Sequence, residues 1–253
     1  MTAVPVQTYA RIAGVLFLIS AVAGGFGEFF VPFQLIVSND ATATANNIMA
    51  SELLFRMSFA AYLVEAICDV SLTLILYVLL RPVSRDLALL AVFFRLVGTA
   101  VFAMTELFYF SALFILGGAD YLKTFSPDQL STLALLSLRI SVYGGGLFFV
   151  IGGVAYIIQG YLIFRSGFLP KVLGVLLALG GLGFVIRSFA LALAPAYASL
   201  GLLLPTGVAG LALTAWLLVK GVDVRKWEER AALTDARTTR DSVELRVVEP
   251  LTS

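Results

Sequence analysis

The chain has 253 residues, of which 60% are hydrophobic and 13% charged, and its formal net charge is +1. This composition excludes a soluble globular domain, and the near-neutral charge without a basic run excludes a nucleic-acid-binding surface. The absence of histidine and the single cysteine, Cys68, exclude an internal disulfide and the usual metal clusters. We therefore predict an all-α, polytopic transmembrane bundle without a cofactor, in which Cys68 is a small buried apolar residue.

Six apolar stretches are long enough to cross a bilayer, since a helix needs about 20 residues to span about 30 Å of hydrocarbon. In chain order the predicted spans are Ile12–Phe33, Leu53–Leu80, Leu87–Leu116, Pro127 to about Phe164, Lys171–Leu193 and Leu200–Val219. The first stretch also resembles a signal peptide ending at Ala21–Ala23, but its apolar run continues to Val37, which favours an uncleaved helix. Between the first two spans, Ser38–Asp40 predicts the turn and cap of a short external helix over Ala41–Met49.

The fourth span is too long for a single crossing. It begins at a capping box, Ser126–Gln129, and a continuous helix from there to its end would be about 57 Å long. The glycine run Gly144–Gly146 therefore predicts a break or kink, with the preceding part, which contains Arg139, at or above the outer surface. A seventh, short or re-entrant segment is the alternative. Pro205 predicts a second kink, inside the sixth span.

The chain divides into a transmembrane bundle over residues 1–220 and a polar tail over residues 221–253. The apolar pattern ends after the sixth span, and Trp227 is expected at the membrane interface. From Ala231 onward Thr, Asp, Arg and Glu predominate, and this composition predicts disorder.

Basic residues predict the orientation of the bundle. They flank the first span or occupy alternate loops and the start of the tail: Arg11, Arg81, Arg85, Arg165, Lys171, Lys220, Arg225 and Lys226. The loops on the other side contain Lys123 alone. Because cytoplasmic loops are enriched in Lys and Arg, both termini are predicted to be cytoplasmic, in the inner (cytoplasmic) membrane of the cell.

Six charged residues interrupt the predicted spans, and they are the candidate ligand-binding residues: Glu28, Glu65, Asp69, Arg95, Glu106 and Arg187. A charge inside hydrocarbon is costly, so such a group normally faces the bundle interior and has a partner. Asp69 and Arg95 lie at similar depths on either side of the turn between the second and third spans, which predicts an ion pair. A purely structural clamp is the alternative role for this pair.

Glu65 is our first choice for a functional residue, because it has no basic neighbour in its own helical hairpin. It lies one turn from Asp69 on the same helix face. We predict that Glu65 lines a polar cavity open toward the outer side, together with Glu28 and Arg187, which reach similar depths. The alternatives are a protonated carboxyl group or an ion pair with Arg187.

Three segments resemble a widespread bacterial family of integral-membrane proteins that carries only a domain-of-unknown-function label: Arg11–Ile19, Cys68–Val97 and Gly160–Val175. The resemblance covers residues 9–217, nearly everything except the tail. It implies a multi-pass bacterial membrane protein with this arrangement of helices, and it implies no activity and no site. Members of that family often have histidines in the stretch that matches Ser141–Ala155. This chain has none there, so histidine-dependent chemistry does not carry over.

Three functions fit these observations. The first is small-molecule binding or transport through a buried charged cavity, and the second is a sensory or regulatory membrane subunit that acts through a partner. A lipid-modifying membrane enzyme is less favoured, because the sequence has neither a nucleophile motif nor a histidine. Membrane lipids and a small-molecule ligand are the expected partners, nucleic acid is not expected, and the sequence does not indicate an oligomeric state.

Overall fold

The computed structural model describes residues 5–234 and 236, and in this part of the chain the fold is entirely helical, with no strand. The helices are α1 Val6–Gly24, α2 Val31–Leu35, α3 Ala41–Ala50, α4 Glu52–Leu80, α5 Arg85–Leu116, α6 Pro127–Ser166, α7 Lys171–Leu193 and α8 Leu204–Val219. A π-helical turn, Gly25–Phe30, joins α1 to α2, and short 3-10 turns occupy Asp120–Leu122, Pro195–Tyr197 and Leu200–Leu203.

Six helical stretches are long and apolar enough to cross a membrane, as predicted: Val6–Leu35, Glu52–Leu80, Arg85–Leu116, Pro127–Ser166, Lys171–Leu193 and Leu200–Val219. The chain is therefore a multi-pass membrane protein. The first span begins earlier than its apolar run, because the helix includes the polar residues Gln7, Thr8 and Arg11 in its opening turns. Hydropathy marks the apolar part of a span, whereas the helix itself continues into the polar flank.

The spanning helices form a closed ring. Helices α4 to α8 each pack against the next helix along the chain, and α1 packs against both α4 and α8. One side of the ring, here called the terminal side, carries the start of α1, the α4–α5 and α6–α7 turns, and the end of α8. There the Gln7 side chain donates to the Lys220 carbonyl (2.8 Å) and accepts from the Val222 backbone amide (3.0 Å).

Glycines set how closely the ring packs. A Cβ atom at Gly160 would lie 2.6 Å from the Gly174 carbonyl oxygen, and one at Gly153 would lie 2.7 Å from the Gly181 carbonyl oxygen. Helices α6 and α7 therefore approach each other through backbone contacts that any side chain would block.

The predicted break in α6 and the alternative of a seventh segment are both wrong, while the alternative of a kink at the glycine run stays a prediction. Helix α6 runs without interruption for 40 residues. Its glycines admit neighbouring side chains instead, since a Cβ at Gly144 would lie 2.2 Å from Thr105 Cγ2. The helix is longer than a bilayer because its first part packs beside α3, and Arg139 there donates to Asn39 Oδ1 (3.1 Å). Pro205 lies in the first turn of α8, where the 3-10 turn ends, and not at a kink within a helix.

The external helix is confirmed as α3, with the Asp40 side chain capping its start by accepting from the Ala43 amide (2.8 Å). The tail begins as a helix over residues 224–234, so the predicted onset of disorder at Ala231 is too early. The Trp227 indole donates to the Leu79 carbonyl (2.9 Å), which docks this helix on the terminal side. The remainder of the predicted disordered tail lies outside the described residues.

Candidate functional site

Asp69 and Arg95 form the predicted ion pair between α4 and α5. The Arg95 guanidinium donates through Nη2 to Asp69 Oδ1 and through Nε to the Thr73 hydroxyl (3.2 Å). The Thr99 hydroxyl donates to the other oxygen of Asp69. Arg95 is buried, and its charge has a partner, as a low-dielectric interior requires. Among the described residues, this is the one ion pair that involves a buried side chain.

The π-helical turn positions Glu28. Gly27 within this turn packs against α4, where its carbonyl accepts from the Tyr62 hydroxyl (2.8 Å) and the Ser58 hydroxyl (3.1 Å). A Cβ at Gly27 would lie 3.2 Å from the Ser58 carbonyl oxygen, so glycine allows the close approach. A π turn adds a residue to the helical repeat and changes the direction of the side chains that follow it. The turn therefore directs Glu28 into the ring.

Glu65 lies against the same segment. A Cβ at Gly24 would be 3.1 Å from both oxygens of the Glu65 carboxylate, so the carboxylate sits directly on the α1 backbone. Its Oε2 atom is buried and has no hydrogen-bond partner among the described residues. It forms no ion pair with Arg187, so that alternative is wrong. A buried polar atom without a partner is unusual in a folded protein and marks a candidate site.

A cavity of about 230 Å³, here called the proximal cavity, lies in the half of the ring nearer the terminal side. All six spans contribute to its wall. Its polar and charged lining consists of Ser20, Glu28, Glu65, Arg95, Tyr156, Gln159, Thr206 and Thr214. The Arg95 guanidinium lies 5.6 Å from the centre of the Tyr156 ring, and its Nη1 atom is buried without a hydrogen-bond partner in the described part of the chain. The ion pair thus leaves one nitrogen of a cavity-lining guanidinium without a hydrogen-bond acceptor among the described residues.

A second cavity of about 190 Å³, the distal cavity, lies farther from the terminal side. Its charged lining residues are Glu28, Glu106 and Arg187, and Ser141 contributes a hydroxyl. Glu106 Oε2 and Arg187 Nε are buried, and neither has a hydrogen-bond partner within the described residues. Glu28 and Phe29 line both cavities, so the two cavities adjoin at the π turn.

The six residues predicted from the sequence are distributed over two adjacent sites. Asp69 belongs to the ion pair and lines neither cavity, while Arg95 belongs to the pair and to the proximal cavity. Glu65 lines the proximal cavity and not the distal cavity that contains Arg187, so the single shared cavity predicted for them is wrong. Glu28 belongs to both cavities.

Sequence reasoning missed several lining residues. Gln159 is 3% exposed and lines the proximal cavity, and its position in the middle of an apolar span was a usable signal. Tyr109 lines the distal cavity, and tyrosine is too common in membrane helices for its pattern to give a signal. Tyr62, one turn from Glu65, could be expected either to extend a polar patch or to be an ordinary buried or interfacial tyrosine, and it lines the distal cavity as well. Thr206 and Thr214 donate their hydroxyls to helix carbonyls, a role typical of threonine in a membrane helix.

Fold and site together define a class: a multi-pass helical membrane protein with a charged, partly hollow interior. The chain belongs to the family described as domain of unknown function (DUF4386), whose family model matches residues 12–221. An uncharacterised protein from Archaeoglobus fulgidus is 31% identical over 120 residues, which is 47% of this chain and 58% of the relative. The match therefore covers a little over half of the relative's length. No solved structure matches the chain.

Proposed function

We propose that this protein binds a small molecule in its charged interior and carries it across the membrane. The observation that carries the proposal is that Glu28 lines both cavities, which therefore adjoin each other. Two adjoining cavities that share a charged residue support a route along the ring axis, since transporters bind their substrates near the middle of the membrane. The second support is the set of buried charged atoms without hydrogen-bond partners among the described residues: Glu65 Oε2, Arg95 Nη1, Glu106 Oε2 and Arg187 Nε.

The proposal includes an orientation. With both termini cytoplasmic in the inner membrane, the terminal side of the ring faces the cytoplasm and the distal cavity faces outward. The basic residues at the α4–α5 turn, at the α6–α7 turn and after α8 support this orientation. The ligand would then enter the distal cavity from outside and reach the proximal cavity past Glu28.

Cysteine accessibility tests this function. In a Cys68→Ser background, Ser141→Cys places a thiol in the distal cavity, and Ser20→Cys places one in the proximal cavity. Ser188→Cys is the matched control, because Ser188 is as buried as Ser141 (7% and 8% exposed) but lines neither cavity. Asp120→Cys, on an exposed loop opposite the terminal side, marks the side of the membrane. A membrane-impermeant methanethiosulfonate reagent is applied to right-side-out and inverted vesicles.

Transport predicts that Asp120→Cys and Ser141→Cys react from outside, that Ser188→Cys stays unreactive, and that Ser20→Cys reacts from both sides. A Ser141→Cys variant as unreactive as Ser188→Cys would overturn the proposal, since the interior would then be dry. Reaction of Asp120→Cys from the cytoplasmic side alone would reverse the orientation.

A sensory or regulatory subunit is the second candidate, and contacts of the tail helix favour it. The Trp227 indole bonds to the Leu79 carbonyl, and the Thr234 hydroxyl donates to the Pro82 carbonyl (2.8 Å), so this helix is attached to the α4–α5 hairpin. The same hairpin carries Glu65 and Glu106. A change in the position of these carboxylates would therefore move the tail helix through the α4–α5 pair. For a sensor, Ser20→Cys would react from the outside alone.

A further inference from the structure

The distal cavity has a wall of aromatic rings that contact one another. The Tyr62 ring meets the rings of Phe102 and Tyr109 edge-on, with centroid separations of 5.8 Å and 5.5 Å. Phe102 in turn packs on Phe148 (5.0 Å), and Phe148 packs on Phe149 (5.3 Å). All five rings line the cavity. They form a continuous surface, here called the aromatic wall, which runs from α4 across α5 to α6.

A buried carboxylate without a partner faces the same space. Glu106 is 8% exposed and lines the cavity, and its Oε2 atom has no hydrogen-bond partner among the described residues. Glu28 supplies a second carboxylate to the same cavity from the π turn, next to Gly27, whose carbonyl accepts from the Tyr62 hydroxyl. Neither carboxylate forms an ion pair with a described residue. An unpaired buried carboxylate is costly, so this pair favours a positively charged occupant.

Among the described residues, Arg187 is the one basic residue in this lining, and it forms no ion pair with Glu28 or Glu106. Its guanidinium carbon sits 5.7 Å from the centre of the Phe149 ring, at one end of the aromatic wall. Glu106 lies one turn from Tyr109 on the same face of α5, toward the other end of the wall. The cavity therefore has an acidic end formed by Glu28 and Glu106, and a basic end where the cation already faces an aromatic ring.

We propose that the distal cavity binds a monovalent organic cation with an apolar body, such as a quaternary ammonium compound. The positive charge lies between Glu28 and Glu106, and the apolar body lies on the aromatic wall. The face of an aromatic ring attracts a desolvated cation, and the combination of rings with carboxylates recognises quaternary ammonium groups. A metal ion fits less well, because the described residues contain no group of three or more acidic or cysteine side chains placed to hold one. This assignment of ligand class rests on the proposed function.

Benzyltrimethylammonium is the probe, and equilibrium dialysis measures its binding to the full-length protein in nanodiscs of phosphatidylethanolamine and phosphatidylglycerol, whose headgroups carry no quaternary ammonium group. Empty nanodiscs correct for partition into lipid. Its neutral isostere neopentylbenzene, the anion benzenesulfonate and the zwitterion phenylalanine are the comparison ligands. The expected result is saturable binding of the cation alone, weakened at least about tenfold in Glu106→Gln and in Glu28→Gln. Glu52→Gln is the matched control, because Glu52 is exposed on α4 and pairs with Arg56 at 2.7 Å.

Equal binding of the cation by the wild type and Glu106→Gln would overturn the assignment. Binding of benzenesulfonate or phenylalanine that is lost in Arg187→Gln would overturn it as well, in favour of an anionic or zwitterionic ligand. Size-exclusion profiles and melting temperatures confirm that each variant is folded, and Phe148→Leu tests the aromatic wall if both carboxylate variants fail this check. If Ser141→Cys reacts from outside but no cation binds, the ligand class is wrong while the proposed function stands. If Ser141→Cys does not react, the proposed function itself fails.

Discussion

Asp69 and Glu65 lie one turn apart on α4, and their surroundings differ. Asp69 accepts from the Arg95 guanidinium and the Thr99 hydroxyl. Glu65 rests against the Gly24 backbone, with one buried oxygen that has no partner in the described part of the chain. The same helix therefore carries one acid that holds two helices together and one acid that faces a cavity. The difference indicates that burial of a charge in this bundle serves two separate purposes.

The largest expected effect on stability comes from breaking the Asp69–Arg95 ion pair. Asp69→Asn or Arg95→Leu alone should lower the free energy of unfolding by about 3 kcal/mol, because the first leaves the buried Arg95 and the second leaves the partly buried Asp69 without its charged partner. The double variant should recover much of that loss. Unfolding in mixed micelles with increasing dodecyl sulfate measures all four proteins. Additive losses in this double-mutant cycle would mean that the two side chains do not interact.

The packing of α6 against α7 tests whether the cavities merely reflect loose packing throughout the bundle. Gly160→Ala should lower the free energy of unfolding by about 2 kcal/mol, since the added methyl group would overlap the α7 backbone. Gly145→Ala, on the same helix, is the matched control, because a Cβ there meets no atom within 4 Å. Equal stability of the two variants in the same assay would indicate that this interface is loose as well.

Removing one hydrogen bond to the Gly27 carbonyl should have a smaller effect on stability. Tyr62→Phe removes one of its two side-chain donors and should lower stability by about 1 kcal/mol or less, because the Ser58 hydroxyl remains. Adding Ser58→Ala should lower stability by more than the sum of the single changes. Hydrogen exchange of residues 25–30 gives the local readout. Ser71→Ala, which removes an exposed hydroxyl bonded to its own helix, is the control and should leave this exchange unchanged.

The smallest effect concerns the contact between α1 and Glu65. Gly25→Ala should raise stability by about 0.5 kcal/mol, because its backbone is helical and a Cβ there meets open space. Gly24→Ala should raise stability by less, since its methyl group would crowd both oxygens of the Glu65 carboxylate. In a Glu65→Ala background the two variants should become equal, as thermal melts would record. A difference that persists would show that Glu65 does not lie against Gly24.

The sequence predicted the fold well where its signal was local and repeated. Apolar length identified all six spans, and the positions of Asp69 and Arg95 on a tight hairpin predicted their pairing. The uninterrupted α6 was missed because Gly144 fits against Thr105, a contact that no local pattern reveals. The start of the tail helix was missed because Trp227 and Thr234 bond to α4 and its following turn, which composition alone does not indicate.

The site was harder to predict than the fold. Depth along each helix brought Glu28, Glu65 and Arg187 to one level, but the rotation of each helix about its own axis decides which cavity a side chain enters. The π turn changes that rotation for Glu28. Apart from its glycines, no feature of the sequence indicates that this turn is present. The aromatic wall depends on rings from three helices, so it became apparent once the helices were packed together.

The most direct test of the two roles is a comparison of Glu65→Gln with Asp69→Asn in one unfolding assay. Both changes remove a charge and preserve shape, and the residues lie one turn apart on the same helix. If Glu65 faces the cavity without a partner, Glu65→Gln should be at least as stable as the wild type, whereas Asp69→Asn should lose about 3 kcal/mol. A loss in Glu65→Gln as large as that in Asp69→Asn would contradict the account, because Glu65 would then stabilise the fold as Asp69 does.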